Sequence, residues 1–256
     1  MSLRNLAKNL SRKLLSPWGL EVASSSRINY LEFESRLPKP TLNALQLTLA
    51  WLFQSGRAEE SIFLQIGACD GIEGDAGFPF LRQGKMKAFL VEPIEETYQN
   101  LCSNYKDVPN VTCINRAIGE IDGTAPFYTV DGIPNCQIAS FDRSHLEKHI
   151  HHFEESEMGD IVETEITVSR YGTLLSDFSI LNLDFVAIDA EGQDCKILNQ
   201  ILEHKTTLPG FIYFENLHIP ANEVSIIFNR LEGSYVWIHD DWNTLAIRTD
   251  LAELIQ

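Results

Sequence analysis

The chain has 256 residues, 44% hydrophobic and 22% charged, so it carries enough apolar mass for a core and does not read as a disordered segment. It holds 20 basic and 36 acidic residues, a formal net charge of −16; a surface of that sign repels phosphate backbones and argues against a nucleic-acid partner. No apolar run reaches the roughly 18 residues of a membrane span. Five cysteines without CxxC spacing argue against a disulfide framework and for a reducing, cytoplasmic setting.

Leu3, Leu6, Ala7, Leu10 and Leu14 recur at helical spacing, with Arg4, Lys8, Arg12 and Lys13 between them. This predicts a short basic amphipathic helix that docks on protein or gives residues 1–20 peripheral membrane contact. No secretory signal is read, because no unbroken apolar segment follows the basic start. Residues 16–40 hold Ser24-Ser25-Ser26 and Pro38-Lys39-Pro40, which are linker and turn signals. Leu42, Leu45, Leu49, Leu52 and Phe53 start a helical stripe that Gly56 ends. From Ser61 short apolar runs alternate with amphipathic ones. Strands are expected at 62–66, 88–91, 111–114, 125–130, 185–188 and 211–214, and helices at 95–105, 193–204 and 221–231. The chain closes with strands at 235–238 and 244–247, too close together for a crossover helix, hence an antiparallel hairpin. The pattern is that of an α/β protein with a doubly wound, mostly parallel sheet under helices on both faces. Residues 1–57 read as a helical extension and linker, and 58–256 as one catalytic-size domain.

Ligands of open α/β sheets bind beyond the carboxyl ends of the strands, and polar residues gather there. The first strand is followed by Gly67-Ala68-Cys69-Asp70-Gly71, the second by Glu92-Pro93, and the third by Asn115-Arg116-Ala117. The 185–188 strand is followed by Asp189-Ala190-Glu191-Gly192, and the 211–214 strand by Glu215-Asn216-Leu217-His218. Gly67 and Gly71 allow a tight turn and close backbone approach. Glu92, at the end of the neighbouring strand, can accept both hydroxyl protons of a ribose. The spacing is not GxGxxG, which weighs against a dinucleotide. Without GK[ST], and with Asp70 in the loop, a phosphate cradle is equally disfavoured. An adenosine ligand without phosphate remains: S-adenosylmethionine, whose positive sulfonium suits a rim containing Asp70 and Asp189.

These stretches resemble the FkbM family of S-adenosylmethionine-dependent methyltransferases, of the class I fold. The resemblance rests on Ile66 to Gly71, Phe89 to Pro93, Asn115 to Gly119 with Asp122-Gly123, and Val186 to Gly192. Cys69 and Ala190 depart from it, where Asn and a branched aliphatic residue are common. The resemblance implies a seven-stranded sheet with the reversed hairpin, and methyl transfer, most often to a hydroxyl oxygen. It implies that Gly67, Ala68, Asp70 and Gly71 line the methionine and ribose side, and that Glu92 holds the ribose. Arg116 and Ala117 then flank the adenine, and Asp189 and Glu191 border the methyl group and the acceptor.

A hydroxyl acceptor also needs proton removal, for which Asp189 and His218 are the candidates. Asp189, Glu215 and Asn216 are oxygen donors that would suit magnesium, a less favoured alternative to metal-free transfer. The run from His145 to Glu155 is read as a solvated helix, a lid over the acceptor, with Ser140 and His145 as weaker candidates for contact. The expected acceptor is a sugar, polyketide or glycolipid-type hydroxyl. Rival readings are a cofactor-binding scaffold without turnover and a nicotinamide-dependent oxidoreductase. A homo-oligomer stays open.

Overall fold

The computed structural model describes residues 43–72, 74–131, 139–149, 159–204, 208–216, 221–240 and 242–254. The expected basic helix, the 16–40 linker and His218 lie outside those residues. Helix α1 (Ala44–Gln54) starts at Asn43, whose side chain accepts the Gln46 N–H at 3.1 Å, and ends before Gly56 at φ 74°. Strand β1 (Ile62–Ile66) leads through α2 (Phe78–Leu81) to β2 (Lys87–Val91), α3 (Glu95–Tyr105) and β3 (Val111–Ile114). The middle of the chain forms β4 (Ala117–Ile118), β5 (Gly123–Val130), β6 (Ala139–Ser140), α4 (Arg143–His149) and β7 (Ile161–Ser169). Then come α5 (Tyr171–Asp177), β8 (Phe185–Ile188), α6 (Asp194–Glu203), β9 (Phe211–Glu215) and α7 (Ala221–Leu231). The described chain closes with β10 (Tyr235–Asp240), β11 (Asn243–Arg248) and α8 (Thr249–Leu254).

The main sheet has seven strands in the order β10-β11-β9-β8-β1-β2-β3. All neighbours are parallel except at β11, which runs antiparallel to both β9 and β10. The expected hairpin is present, closed by Asp240 opposite Asn243. The chain winds outward from β1 to β2 and β3, then returns to β8 on the other side. That reversal between β1 and β8 opens a crevice at their carboxyl ends.

Both faces of the sheet are covered. Phe63, Phe185, Phe211 and Leu90 pack with Leu45, Leu49 and Leu52 of α1, so α1 shares a core with the sheet. Leu64, Val186, Ile212 and Phe214 face the other way, against Leu174 of α5, Leu198 of α6 and Ile227 of α7. Each such side chain contributes about 1.5–3 kcal/mol on full burial, which is why short all-apolar runs such as Phe185–Ile188 commit to central strands. Among the described residues no helix is long and apolar enough to cross a membrane.

The strand expected at 125–130 forms as β5, but outside the main sheet. It belongs to a second, four-stranded sheet in the order β4-β7-β5-β6. Its main partner β7 is not anticipated, because Glu163 and Glu165 make that segment look like surface. The alternation is nevertheless there: Ile166 and Val168 point inward, Glu165 and Thr167 outward. Phe127 of β5 meets Phe141 edge-on at 5.1 Å, and Ile94 packs against the same cluster. The small sheet is thereby fixed over the loop that follows β2.

Candidate active site

A cavity of about 430 Å³ lies at the carboxyl ends of β1, β2, β8 and β9. The turn after β1 makes one wall. Gly67 has φ 81°, and a Cβ there would overlap the Asp189 carbonyl oxygen, so only glycine lets β1 and β8 close at this level. Gly67→Ala is expected to splay these strand ends and lower the melting temperature by several degrees; an unchanged melting curve would contradict that close approach.

Two residues beside the cavity, Cys69 at φ 50° and Glu191 at φ 45°, occupy the left-handed region without being glycine. Cys69 is disulfide-bonded, which corrects the expectation of reduced thiols at that position; Cys102, Cys113 and Cys195 are free.

Glu92 is the anchor. It is only 4% exposed, and its two oxygens accept the backbone N–H groups of Cys69 at 3.1 Å and Ile94 at 2.9 Å. Burial raises its carboxyl to about 7, against the opposing pull of those two N–H groups. A carboxylate offers about four lone-pair sites, so capacity for a diol remains after two bonds.

Opposite stands Asp189, walled by protein but open to the cavity. Its carboxyl is raised to about 6, by desolvation first and then by Glu191 and Asp75. Glu215 follows the register position next to Asp189 and is raised to about 8, by burial and by Asp189, Asp194 and Glu191. Like charges at this spacing disfavour full ionisation, so the group holds protons near neutral pH.

Asp194, 3% exposed, starts α6 just behind. Its Oδ1 has no hydrogen-bond partner among the described residues, and burial and Asp189 lift its carboxyl to about 7. Because that folded-state value exceeds the unfolded one, the native state binds the extra proton. Its stabilising contribution is complete below the ordinary carboxylate range and fades as pH rises through about 7, at about 1.4 kcal/mol per pH unit between the two values. Asp194→Asn is therefore expected to melt higher than the parent at pH 8 and similarly at pH 4, in calorimetry. A parent advantage at pH 8 would contradict the assignment.

Gly67, Ala68, Glu92, Arg116, Ala117, Asp189 and Glu191 all line the cavity, whereas Asp70, Gly71 and Ser140 do not. The Asp70 carboxylate accepts the Ile72 N–H at 2.8 Å within its own turn. A Cβ on Gly71 would strike Tyr105 and Leu101, and its carbonyl accepts the Tyr105 hydroxyl, so this glycine serves the packing of α3. Ser140 donates its hydroxyl to the Glu191 carbonyl at 3.0 Å, and His145 Nε2 lies 3.5 Å from the Glu191 carboxylate. Both reach the site through that loop. The Arg116 guanidinium pairs with Asp177 and Ser169 and lies over the Phe178 ring at 5.4 Å, which turns its charge away from the cavity.

The magnesium alternative finds no fit. Asn216 gives its amide to Thr244 Oγ1 at 2.9 Å, and among the described residues no group of three or more His, Cys, Asp or Glu could hold an ion. The sequence reading missed Gln65, Asp75, Tyr213 and Asn243 as lining residues, together with Phe127 and Phe141 from the small sheet.

The family model described as "Methyltransferase FkbM domain" matches residues 65–245. No curated protein matches the chain. Among solved structures, the methyltransferase FkbM from Methylobacillus flagellatus KT is 19% identical with a TM-score of 0.44, covering 73% of this chain and 43% of that one. This chain thus spans less than half the length of that protein. The METTL16 MTase domain is 11% identical with a TM-score of 0.43, covering 96% and 80% of the two chains. Fibrillarin from Aeropyrum pernix, with natively bound S-adenosyl-L-methionine, is 12% identical with a TM-score of 0.37, covering 78% and 74%. With the family model matched over most of the seven-stranded sheet and over all of the cavity lining except Asn43 and Leu45, the chain belongs to the FkbM methyltransferase domain family.

Proposed function

We propose that the chain transfers the methyl group of S-adenosylmethionine to a hydroxyl oxygen of a sugar, polyketide or glycolipid-type acceptor. One observation carries this reading: the buried Glu92 carboxylate and the Asp189 carboxylate face one cavity whose lining, among the described residues, holds four acids and a single cation, Arg116, already paired. When bound, the cofactor supplies an electrophilic methyl on a positively charged sulfur.

Glu92 accepts the ribose hydroxyl protons. Ile94, Ala117 and Ile118 supply apolar contact for the adenine, and Asp189 with Glu191 balances the sulfonium charge. Asp189 also takes the acceptor's proton as the new C–O bond forms and the C–S bond breaks. Asp189 would then hand that proton to water, and the cofactor sulfur would be left as a neutral thioether. Phe127 and Phe141 keep water off the reacting atoms. The net charge of −16 and the acid-lined cavity support a small-molecule partner rather than nucleic acid.

Incubation with isotope-labelled S-adenosylmethionine and a panel of polyhydroxylated acceptors, read by mass spectrometry, tests the reaction. Label on an acceptor oxygen is the expected result. Cofactor binding with no transfer to any hydroxyl would favour the scaffold reading instead.

A further inference from the structure

The turn after β8 is held in a demanding conformation. Glu191 at φ 45° and Gly192 at φ 88° are successive left-handed residues between Asp189 and the start of α6. A residue with a Cβ adopts that conformation at a cost, and keeps it where its surroundings fix it. The Gln193 N–H donates to the Ala190 carbonyl at 3.1 Å and closes the turn, but leaves Glu191 to be held from outside.

Both outside holds come from the small sheet and the helix that follows it. Ala139 and Phe141 line the cavity, whereas Ser140 between them is 1% exposed and does not. The Ser140 hydroxyl donates to the Glu191 carbonyl at 3.0 Å and accepts the Asp142 N–H at 3.3 Å. From the first turn of α4, His145 sets its ring against Gly192, where a Cβ would lie 3.5 Å from Nδ1. Its Nε2 stands 3.5 Å from Glu191 Oε2.

Ser140 thus grips the backbone of the turn, and His145 stands against its carboxylate. The Glu191 side chain lines the cavity next to Asp189. A carboxylate with one oxygen at His145 keeps the second for a ligand. Neither Ser140 nor His145 lines the cavity, so each reaches a ligand there through Glu191.

Resting on the methyltransferase reading above, we propose that Ser140 and His145 are positioning residues that hold the Glu191 turn with its carboxylate toward the cofactor's sulfonium, and so set the discrimination between the charged cofactor and its neutral product. Once the methyl group has left, the sulfur is neutral and the same carboxylate no longer favours it. The clasp therefore promotes exchange of product for fresh cofactor.

S-adenosylmethionine and S-adenosylhomocysteine differ by one methyl group and one positive charge. The ratio of their dissociation constants reads the field at the sulfur, whereas general damage to the pocket weakens both. Calorimetric titration of the full chain with each ligand gives that ratio and requires no acceptor. Glu191→Gln is expected to weaken S-adenosylmethionine relative to S-adenosylhomocysteine by roughly tenfold. Ser140→Ala and His145→Leu should each shift the ratio the same way by about threefold or more, with S-adenosylhomocysteine affinity within about threefold of the parent. His145→Gln, which keeps an N–H donor at similar reach, should return the ratio to within about twofold of the parent. Added to Glu191→Gln, His145→Leu should bring no further shift, since it acts through that carboxylate. Each variant is checked for folding by its melting curve. A parental ratio in both Ser140→Ala and His145→Leu would overturn the inference, as would equal weakening of the two ligands or an unshifted ratio in Glu191→Gln. A folded parent chain that binds neither ligand would instead remove the methyltransferase reading, and this inference with it.

Discussion

Glu92→Ala is expected to weaken S-adenosylhomocysteine binding by roughly 30- to 1,000-fold. The carboxylate is the proposed seat of the ribose, and losing hydrogen bonds to a charged partner costs about 2–4 kcal/mol. The same oxygens hold the Cys69 and Ile94 N–H groups, so the loops that border the cofactor loosen as well. Binding also acquires a pH dependence with a definite sign. The free carboxyl sits at about 7, whereas the diol is best received by the ionised form, so the free protein must release a proton to bind. Affinity should fall as pH drops below about 7, by up to about tenfold per unit. In Glu92→Gln that slope should disappear. A pH-independent parent, or Glu92→Ala binding at parental strength, would remove Glu92 from the ribose site.

Asp189→Asn should lower turnover by roughly 10²- to 10⁴-fold, the range for loss of a positioned general base, while S-adenosylhomocysteine affinity stays within about fivefold. Asparagine keeps the shape and the acceptor oxygen but cannot take a proton at working pH. In the parent chain, turnover should rise with pH through about 6, because the base acts only when ionised and its crowded surroundings hold it there. Comparable losses in binding and in turnover would make Asp189 a cofactor ligand alone. Undiminished turnover would move the base elsewhere, to residues such as Glu215.

The central sheet was readable because its strands are buried on both faces. Runs such as Phe89-Leu90-Val91 and Val186-Ala187-Ile188 have no other stable placement than under two helical layers. The turn residues after them were readable for the same reason, since a conformational demand such as the Gly67 close approach leaves a trace in residue type. Asp70 and Gly71 stand next to the cavity lining in sequence, yet their groups serve the turn and α3. A five-residue motif cannot separate residues that touch the cavity from residues that hold it open.

The small sheet was the largest omission. Its partners β5 and β7 are joined through residues without strong pattern, and Glu163 and Glu165 mask the alternation of β7. Gln65 was the overlooked signal at the site: a glutamine flanked by Leu64 and Ile66 in a buried strand is a polar group in need of a reason.

The most direct measurement is calorimetric titration of the purified chain with S-adenosylhomocysteine. Micromolar binding at one site per chain, lost in Glu92→Ala, is the expected result. A folded chain that takes up none of the ligand at millimolar concentration would contradict the assignment of this crevice to an adenosine cofactor, and with it the proposed methyl transfer.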